Sequence, residues 1–352
     1  MKNLITYLKP KKGAFHIGDD LKGLERAREY VHSDTLFSGL IHSLARLYGK
    51  NFVDSLIEDF AKDNPPFVIS SGYLRSNERG CFLPKPKFPL PYLKERISEQ
   101  DPVKKDKILK EYKEIRFLPS SNLKNLLESF SNPNIDIRVL EDAVKGGRTY
   151  SDLFINIIRP SSSIDRVSSS SELFFRGETF LKDGVAISIF CRCREDIVEK
   201  LKEAFKCFGS FGVGGEKTYG LGQFNVEFDE NYYGMEFIFT GTSTVGEKAN
   251  NFSYLLSLYY PKDCELDVVE KKSFYSMVER KGWFNSPYTN YQFKRRSVMM
   301  FEEGSVIGSD SINGCLVDVS PEYWEKFNIP VKFKHKVYRN GLAFSIPFKV
   351  EE

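Results

Sequence analysis

The amino-acid sequence predicts an α+β protein in which a mixed region of helices and strands precedes a strand-rich region. Apolar runs within the first 228 residues follow the order β-α-β-β, then a charged stretch, then β-β-α-β. After residue 235, short strand-like runs predominate and helical periodicity is weak. Hydrophobic residues make up 41% and charged residues 28% of the 352 positions, a composition typical of a folded core and not of disorder.

The first elements are a strand and a helix. Leu4–Leu8 is an apolar strand-like run, and apolar residues at helical spacing follow Ser33 and Asp34. We expect Ser33 or Asp34 to cap the N-terminus of this helix, because short polar side chains accept hydrogen bonds from its first amides. Gly49 stands where a helix-ending glycine belongs, and a second short helix is predicted at 52–62.

A hairpin and a charged stretch come next. Strands are predicted at 67–74 and 81–83, joined by a polar turn. Residues 85–116 hold ten Lys and Arg against six Asp and Glu, and a charged helix is predicted at 104–114. This charge-rich composition predicts an insertion, around 85–150, rather than a core element.

The following elements complete a βαββαβ order, which is that of a ferredoxin-like domain with a decorated centre. We predict its later strands at 153–158, 173–175, 185–193 and 223–228, and its second helix at 196–208. The domain is expected to span 1–230, and a β-rich second domain 231–352. Strands of that second domain are predicted at 235–240, 254–259, 298–301, 315–319, 336–338 and 343–350.

Residues 209–224, GSFGVGGEKTYGLGQF, form a glycine-rich loop between a predicted helix and a predicted strand. The common nucleotide-binding fingerprints have the reverse order, strand then helix, so that a helix N-terminus faces the phosphate. The order here argues against a mononucleotide site. Outward-facing glycine amides could still bind phosphates, with charge from Lys217 and a stacking face from Tyr219. The alternative is a tight connection that requires positive φ.

Bulk charge and cysteine spacing exclude several classes of protein. Net charge is only +3, from 51 basic and 48 acidic side chains, so a nucleic-acid-binding face must come from local clustering. The six cysteines show no paired CxxC spacing, which predicts no zinc site and no cofactor. Without an apolar stretch of about 18 residues or a signal-like N-terminus, the sequence predicts a cytoplasmic protein without a membrane span.

The glycine-rich loop resembles the signature of the RAMP superfamily, the ferredoxin-like RNA-binding proteins of CRISPR systems. Phe15–Gly18 followed by 32–37 is similar to the first strand and helix of such proteins, and Arg159–Val167 leading into 172–175 to a central strand motif. The resemblance continues through four C-terminal segments, 254–261, 280–283, 303–305 and 335–341. Together these segments resemble the subunit of the type III-A (Csm) effector that binds the 5′ end of the guide RNA.

This resemblance implies two ferredoxin-like (RRM-type) domains, the second modified and β-rich, with insertions. It also implies a non-catalytic scaffold that holds the 5′ repeat-derived tag of crRNA. The implied protein partners are the large polymerase/cyclase-like CRISPR subunit and the backbone RAMP subunit of the Csm complex. Some RAMP insertions act as a thumb that wedges between bases, and residues 85–116 or 120–150 are the two candidates.

RNA contacts are expected from basic, hydroxyl and glycine positions in several segments. Arg159 and Arg166 flank a serine-rich turn, where arginine forks and hydroxyls could bind phosphates. The densest basic run, 294–296, follows Trp283 and Tyr288 and could equally be a solvated face. The expected RNA-binding residues are His16, His32, Ser33, Lys85, Lys87, Arg159, Ser161, Arg166, Gly212, Gly214, Gly215, Lys217, Thr218, Tyr219, Lys294, Arg295 and Arg296.

The alternative function is a metal-independent crRNA-processing endoribonuclease of the RAMP class. His16 and His32 could approach each other at the first strand–helix junction, and a histidine with a Tyr or Ser and a Lys could deprotonate a 2′-hydroxyl. The adjacent acids Asp19-Asp20 and Glu302-Glu303 are expected to be solvated turn residues. Neither pair has partners at metal-ligand spacing, so two-metal chemistry is not predicted.

Overall fold

The computed structural model describes residues 1–11, 13–18, 27–242, 250–286, 289–309, 311–321 and 335–351. The helices are α1 (Ser33–Ala61), α2 (Leu90–Arg96), α3 (Pro102–Glu114), α4 (Ser120–Ser129), α5 (Ile137–Arg148), α6 (Val198–Phe211), α7 (Phe237–Thr240) and α8 (Leu266–Lys271). The first nine strands are β1 (Lys2–Pro10), β2 (Phe67–Ile69), β3 (Tyr73–Ser76), β4 (Gly80–Pro84), β5 (Phe117–Pro119), β6 (Phe154–Ile164), β7 (Ser171–Leu181), β8 (Val185–Cys193) and β9 (Phe224–Asp229). The remaining strands are β10 (Asn250–Leu255), β11 (Met277–Arg280), β12 (Trp283–Ser286), β13 (Thr289–Lys294), β14 (Val298–Phe301), β15 (Val306–Ile307), β16 (Leu316–Asp318), β17 (Tyr338–Asn340) and β18 (Ser345–Val350).

The main sheet has the order β5-β4-β3-β8-β1-β9, with β2 also paired to β8. Both β8 and β9 run antiparallel to β1, and β3 runs antiparallel to β8. Helix α1 connects β1 to β2, helix α6 connects β8 to β9, and the two helices pack against each other. Nearly every residue of β8 is buried, because its two faces are covered and its apolar run is almost continuous. The protein is therefore α+β, as predicted.

The start of α1 differs from the prediction. His32, and neither Ser33 nor Asp34, occupies the N-cap position. The Asp34 carboxylate instead binds the guanidinium groups of Arg280 and Arg339, which lie far along the chain. A buried carboxylate that faces two arginines is better satisfied by them than by the helix amides.

Gly49 interrupts the long helix as predicted. Its backbone adopts φ +82° and ψ 175°, outside the helical region, and the helix resumes immediately and continues to Ala61. The predicted short helix at 52–62 is this second half.

The charged stretch after β4 is not a peripheral excursion. Helices α2 to α5 and strand β5 pack onto the core, and β5 extends the main sheet beside β4. Most of the charged side chains lie on the outer sides of these helices, while apolar residues at helical spacing point inward. The buried members include Leu93, Leu109, Tyr112, Leu126 and Leu140.

Strands β6 and β7 form a hairpin of eleven-residue strands, which replaces the predicted serine-rich turn. Arg159 lies inside β6, directly opposite Arg176 of β7, and Ser161 is opposite Phe174. The turn lies further on, at 165–170, where Asp165 accepts hydrogen bonds from the Val167 amide (2.8 Å) and the Ser168 hydroxyl (2.9 Å). An aspartate that binds the amide two residues on is a strong turn former, so the reversal begins there.

The C-terminal region is β-rich, as predicted, with small sheets β15-β10-β18, β11-β14, β12-β13 and β16-β17. The predicted strand at 235–240 is wrong, because residues Phe237–Thr240 form α7, which ends at Gly241 with φ +86°. Its apolar run packs as one helical turn beside β18. Apolar side chains from this region share one buried cluster with the main sheet, among them Tyr254, Leu256, Phe344 and Phe348. The domain boundary near residue 230 stays a prediction.

No helix in the described ranges is both long enough and apolar enough to cross a lipid bilayer.

Candidate nucleic-acid interface

The glycine-rich loop is tied by its backbone to the segment between β1 and α1. The Gly215 amide donates to the His16 carbonyl (2.8 Å), and the Gly222 amide donates to the Ala14 carbonyl (3.0 Å). A Cβ atom on Gly214 would lie 2.1 Å from the His16 carbonyl oxygen, so only glycine permits this approach. The expectation of outward-facing glycine amides is wrong at Gly215 and Gly222, because tight backbone packing uses them.

The tip of the loop presents side chains instead. Lys217–Tyr219 form a single 3-10 turn, held between Glu216 and Gly220, which both have positive φ. The Lys217, Thr218 and Tyr219 side chains are exposed, and Tyr219 is 72% accessible. The Arg176 guanidinium lies 5.1 Å from the centre of the Tyr219 ring, so a cation–π contact stabilises one face of the ring while the other face is exposed to solvent.

Three basic side chains gather where the loop meets α1, and we call His42, Arg46 and Lys217 the α1 basic cluster. Partial desolvation and the charge of Arg46 lower the pKa of Lys217. Burial, followed by the charges of Arg46 and Lys217, lowers the pKa of His42. Desolvation is the larger cause of both pKa shifts, and repulsion among the three groups adds to it; a bound phosphate would relieve that repulsion. Arg46 also stacks on the exposed ring of Phe211, 4.3 Å away.

Beside this cluster lies a cavity of about 290 Å³ between α1 and the C-terminal region, which we call the α1 cavity. His42 belongs both to its lining and to the α1 basic cluster. Arg295 lines it from the opposite side, with Nη2 3.5 Å from the Ser38 hydroxyl. The full lining is Phe37, Ser38, Ile41, His42, Ala45, Lys50, Val53, Asp54, Ile57, Phe284, Arg295, His335, Lys336, Val337 and Tyr338.

Arg295 also lines a second cavity of about 670 Å³, together with Lys294 and Arg296. Arg296 donates to the Asp318 carbonyl oxygen (2.8 Å), which fixes the basic run on β16. His42 links Lys217 to this run, because it interacts with Lys217 and lines the same cavity as Arg295, although 77 positions separate Lys217 from Lys294 in the sequence. The exposed Trp283 begins the hairpin that carries the run, whereas Tyr288 lies outside the described residues.

The base of the β6–β7 hairpin carries an ordered arginine pair. Glu178, only 2% exposed, accepts from Nε of Arg159 (3.1 Å) and from Nη2 of Arg176 (3.0 Å). Arg176 also binds Glu216 of the glycine-rich loop (3.1 Å). The Arg159 side chain remains half exposed. These carboxylates fix both guanidinium groups, and Glu216 ties Arg176 to the loop.

The other predicted residues of this region lie near or beyond the arginine pair. His16 is buried, and its Nδ1 is 2.7 Å from the Gly177 carbonyl oxygen, so it anchors the hairpin. Ser161 is half-buried in β6, and Arg166 is exposed in the turn at the hairpin's end.

Lys85 and Lys87 lie elsewhere. They follow β4, and three strands separate β4 from β9, which the glycine-rich loop precedes. Lys85 Nζ donates to the carbonyls of Tyr112 (2.6 Å) and Lys113 (3.0 Å), and Lys87 pairs with Glu302 (2.9 Å). Both lysines are engaged in intramolecular contacts and do not join the loop.

His32 and Ser33 are buried at the junction of the N- and C-terminal regions. His32 Nδ1 is 2.8 Å from Glu303 Oε1, and its Nε2 contacts the Arg28 guanidinium. The Ser33 hydroxyl accepts from the Leu258 amide (3.1 Å). His16 and His32 therefore belong to separate hydrogen-bonding networks.

The acidic pair Glu302-Glu303 is not a solvated turn. Glu303 is 3% exposed and accepts from His32 and Ser71, while Glu302 is partly buried and binds Lys87. Burial alone would raise the pKa of Glu303, but the charge of His32 and the hydrogen bonds from His32 and Ser71 outweigh it and lower that pKa. Asp19-Asp20 lies outside the described residues. Within the described ranges, no group of three or more His, Cys, Asp and Glu side chains is arranged to hold a metal ion.

Sequence reasoning missed Arg46, Arg176 and Glu178. Arg46 follows His42 by four residues, a spacing that places both on one side of a helix, and this signal was available. Arg176 and Glu178 could be found only from the register that sets Arg176 opposite Arg159.

The C-terminal part of the chain matches a family model. Residues 248–348 match the model described as the CRISPR Csm4 C-terminal domain. Two archaeal proteins described as CRISPR system protein Csm4 align over most of their length. That of Methanocaldococcus jannaschii is 23% identical over 391 residues, covering 98% of this chain and 97% of that protein. That of Thermococcus onnurineus is 22% identical and covers 92% of this chain and 94% of that protein.

Solved structures share the fold over the whole chain. The crystal structure of a Csm3–Csm4 subcomplex of the type III-A CRISPR-Cas interference complex contains a chain that matches with a TM-score of 0.60 and 17% identity, covering 98% of this chain and 99% of that one. A chain of the Csm1–Csm4 cassette in complex with cA4 matches with a TM-score of 0.57 and 16% identity, covering 99% of both chains. At these identities the likeness shows the fold.

Proposed function

We propose that this chain is a Csm4-type subunit of a type III-A CRISPR complex, and that it is a cytoplasmic, non-catalytic scaffold that holds the 5′ repeat-derived tag of crRNA. The observation that carries the proposal is the continuity of basic side chains along α1. Lys217, Arg46 and His42 lead from the glycine-rich loop to the α1 cavity, and Arg295 leads on to the basic run. We call this path, from Lys217 to Arg296, the α1 track.

A track of this kind suits single-stranded RNA. Phosphates provide sequence-independent affinity, while exposed aromatic rings stack on splayed bases. Tyr219 and Phe211 lie beside the basic residues at one end of the track, and Trp283 lies near the other. The track thus combines basic side chains with exposed aromatic rings at its two ends, a combination that suits an extended RNA strand.

The β6–β7 hairpin is the element that we propose as the thumb. Helices α2 to α5, which make up most of residues 85–116 and 120–150, pack onto the core, and this favours the hairpin over them. The outer half of the hairpin is exposed on both strands, and one face carries Ile158, Leu173 and Phe175. Apolar side chains on a protruding ribbon can separate stacked bases, and the arginine pair at its base can bind the adjacent phosphates.

The non-catalytic assignment is supported by the state of His32. Its Nε2 contacts the Arg28 guanidinium, and its Nδ1 contacts the Glu303 carboxylate. Both ring nitrogens are occupied in a site that is 2% exposed. A general base needs a free nitrogen within reach of the substrate hydroxyl.

The finer fold assignment and the partners belong to the same proposal. The strand order β9-β1-β8-β3 with α1 and α6 as connections supports a ferredoxin-like domain over 1–230, and we propose a modified one over 231–352. Solved relatives pair with Csm1 and with Csm3. We propose that this chain likewise bridges the large subunit to the backbone RAMP subunit.

Fluorescence anisotropy with tagged and untagged guide RNA tests the proposal. We expect tighter binding of the tagged RNA, and we expect Lys217→Ala and Arg46→Ala each to weaken it and reduce the salt slope by about 0.7, the value for one phosphate contact on a single strand. Lys110→Ala, on the exposed side of α3, is the matched control and should leave affinity unchanged. Equal affinity for both RNAs would refute tag recognition.

A further inference from the structure

We propose that the α1 cavity binds one unstacked nucleobase of the RNA, with its phosphates held at the rim. This inference rests on the proposed RNA-binding function and names a binding pocket within it. The argument comes from the size of the cavity, the chemistry of its walls, the charge of its rim and its place on the α1 track.

The size and walls of the cavity suit a single planar ring. Its volume of about 290 Å³ lies at the lower end of the roughly 300–1,000 Å³ typical of small-molecule sites, which limits it to one base. The interior is apolar, and the buried ring of Phe284 faces α1 from the C-terminal side. Splayed RNA bases are commonly held against aromatic and apolar surfaces. The apolar walls come from Phe37, Ile41, Ala45, Val53, Ile57 and Val337.

The rim favours an anionic ligand over an apolar peptide side chain. The lining contains five basic or titratable nitrogen side chains and one carboxylate, Asp54, which pairs with Lys50. Lys336 is exposed, and Asp318, which lies 3.6 Å from it, is not part of the lining. With Lys50 paired to Asp54, the lining keeps the positive charges of Arg295 and Lys336 beside an apolar interior, which complements a nucleotide, whose base is planar and whose phosphate is negative. The five are His42, Lys50, Arg295, His335 and Lys336.

The cavity also lies where an RNA strand must pass if it follows the track. His42 at one side belongs to the α1 basic cluster, and Arg295 at the other side also lines the second basic cavity. A backbone that runs from Lys217 toward Arg296 therefore crosses the mouth of the cavity. A base turned inward at that point leaves its two phosphates beside His42 and Arg295.

An abasic scan of the tag, combined with cavity-filling variants, tests the inference. For the wild-type protein we expect one tag position at which removal of the base weakens binding roughly tenfold, within the range for loss of one base–aromatic contact. Ala45→Phe and Val53→Phe fill the cavity from α1 and should cause a similar loss with intact RNA. Neither variant should lose further affinity when that position is abasic. Leu47→Phe, on the exposed side of α1, is the control and should bind as wild type does.

The outcomes separate this inference from the function on which it rests. If the wild-type protein does not prefer tagged RNA, both the proposed tag binding and the cavity inference are refuted. If it does, but no single abasic position weakens binding, the cavity inference alone is overturned, whatever the folding of the variants. Filled variants that keep full RNA affinity and lose co-purification with a neighbouring subunit would also overturn it, because the cavity would then be a protein-docking site.

Discussion

The His32 imidazole and the Glu303 carboxylate form a buried pair, with 2.8 Å between Nδ1 and Oε1, across a sequence separation of 271 residues. Both side chains are at most 3% exposed. The pair joins the start of α1 to the turn between β14 and β15, and the contacts of Asp34 with Arg280 and Arg339 reinforce the same junction. Buried polar contacts, together with a shared apolar cluster, therefore hold the N- and C-terminal regions together.

We expect Glu303→Ala to destabilise the protein by about 3–5 kcal/mol, because it removes one partner of a buried pair and leaves the other unsatisfied. Glu303→Gln should cost less, since an amide oxygen can still accept from His32. Urea unfolding measures both. Glu302→Ala, at a partly exposed ion pair, is the control with an expected loss of about 1 kcal/mol or less. Equal losses for Glu302→Ala and Glu303→Ala would contradict the special role of the buried pair.

The same carboxylate makes stability depend on acid. The pKa of Glu303 is lower in the folded protein than its ordinary value of 4.5. Its contribution is therefore fully present above that ordinary value and is lost as the pH falls through the folded pKa. We expect the difference in unfolding free energy between wild type and Glu303→Gln to shrink as the pH is lowered below 4.5. A difference that stays constant would show that the pKa is not shifted.

Asp34 provides a second test, in which two changes should partly cancel. Asp34→Ala leaves Arg280 and Arg339 buried without their shared carboxylate, and we expect a loss of about 3–5 kcal/mol. Adding Arg339→Leu removes one of the two uncompensated charges and should recover part of that loss. Chemical denaturation of the single and double variants gives the coupling energy. Strictly additive losses would mean that the contacts act independently.

The glycine-rich loop should respond very differently at two of its glycines. A Cβ atom on Gly222 would lie 2.1 Å from the Val213 carbonyl oxygen, whereas at Gly220 it would meet nothing within 4 Å. Both have positive φ, so each change to alanine costs about 1–2 kcal/mol from backbone strain. Gly222→Ala should cost clearly more, because the backbone itself must move. Thermal unfolding of the two variants compares them, and similar melting temperatures would show that the close approach is not required.

Lys85 should make stability rise with pH in the alkaline range. Burial, and then the charge of Lys87, lowers the pKa of Lys85 to about 8 in the folded protein. Between about pH 8 and the unfolded value of about 10.4 the unfolded chain binds more protons, so the contribution of this residue to stability increases with pH. We expect the unfolding free energy of the wild type relative to Lys85→Met to rise across this window. Urea unfolding at pH 7.5, 8.5 and 9.5 tests it, and a flat difference would contradict the lowered pKa.

Some elements were predictable because their signals are local. The apolar runs of β1 and β8, the helical spacing of α1 and the break at Gly49 all depend on neighbours within a few residues. The error at 237–240 has the same origin, because a four-residue apolar run fits either a strand or one helical turn. The β6–β7 hairpin is longer than its predicted strands. Serine and arginine residues near a turn do not indicate where the pairing of two strands ends.

The sequence alone determined the α+β class and the positions of β1, α1, β8 and α6, because each depends on periodicity or on residue type at short range. Only the tertiary structure decided how the glycines of the loop are used. Glycines can leave backbone amides open to a ligand or allow close backbone packing, and the approach of Gly214 to the His16 carbonyl shows close packing here. The tertiary structure also linked Lys217 to Arg295 through His42, and buried Glu303 against His32. Contacts between residues dozens to hundreds of positions apart depend on how the whole chain packs, and no local pattern records that.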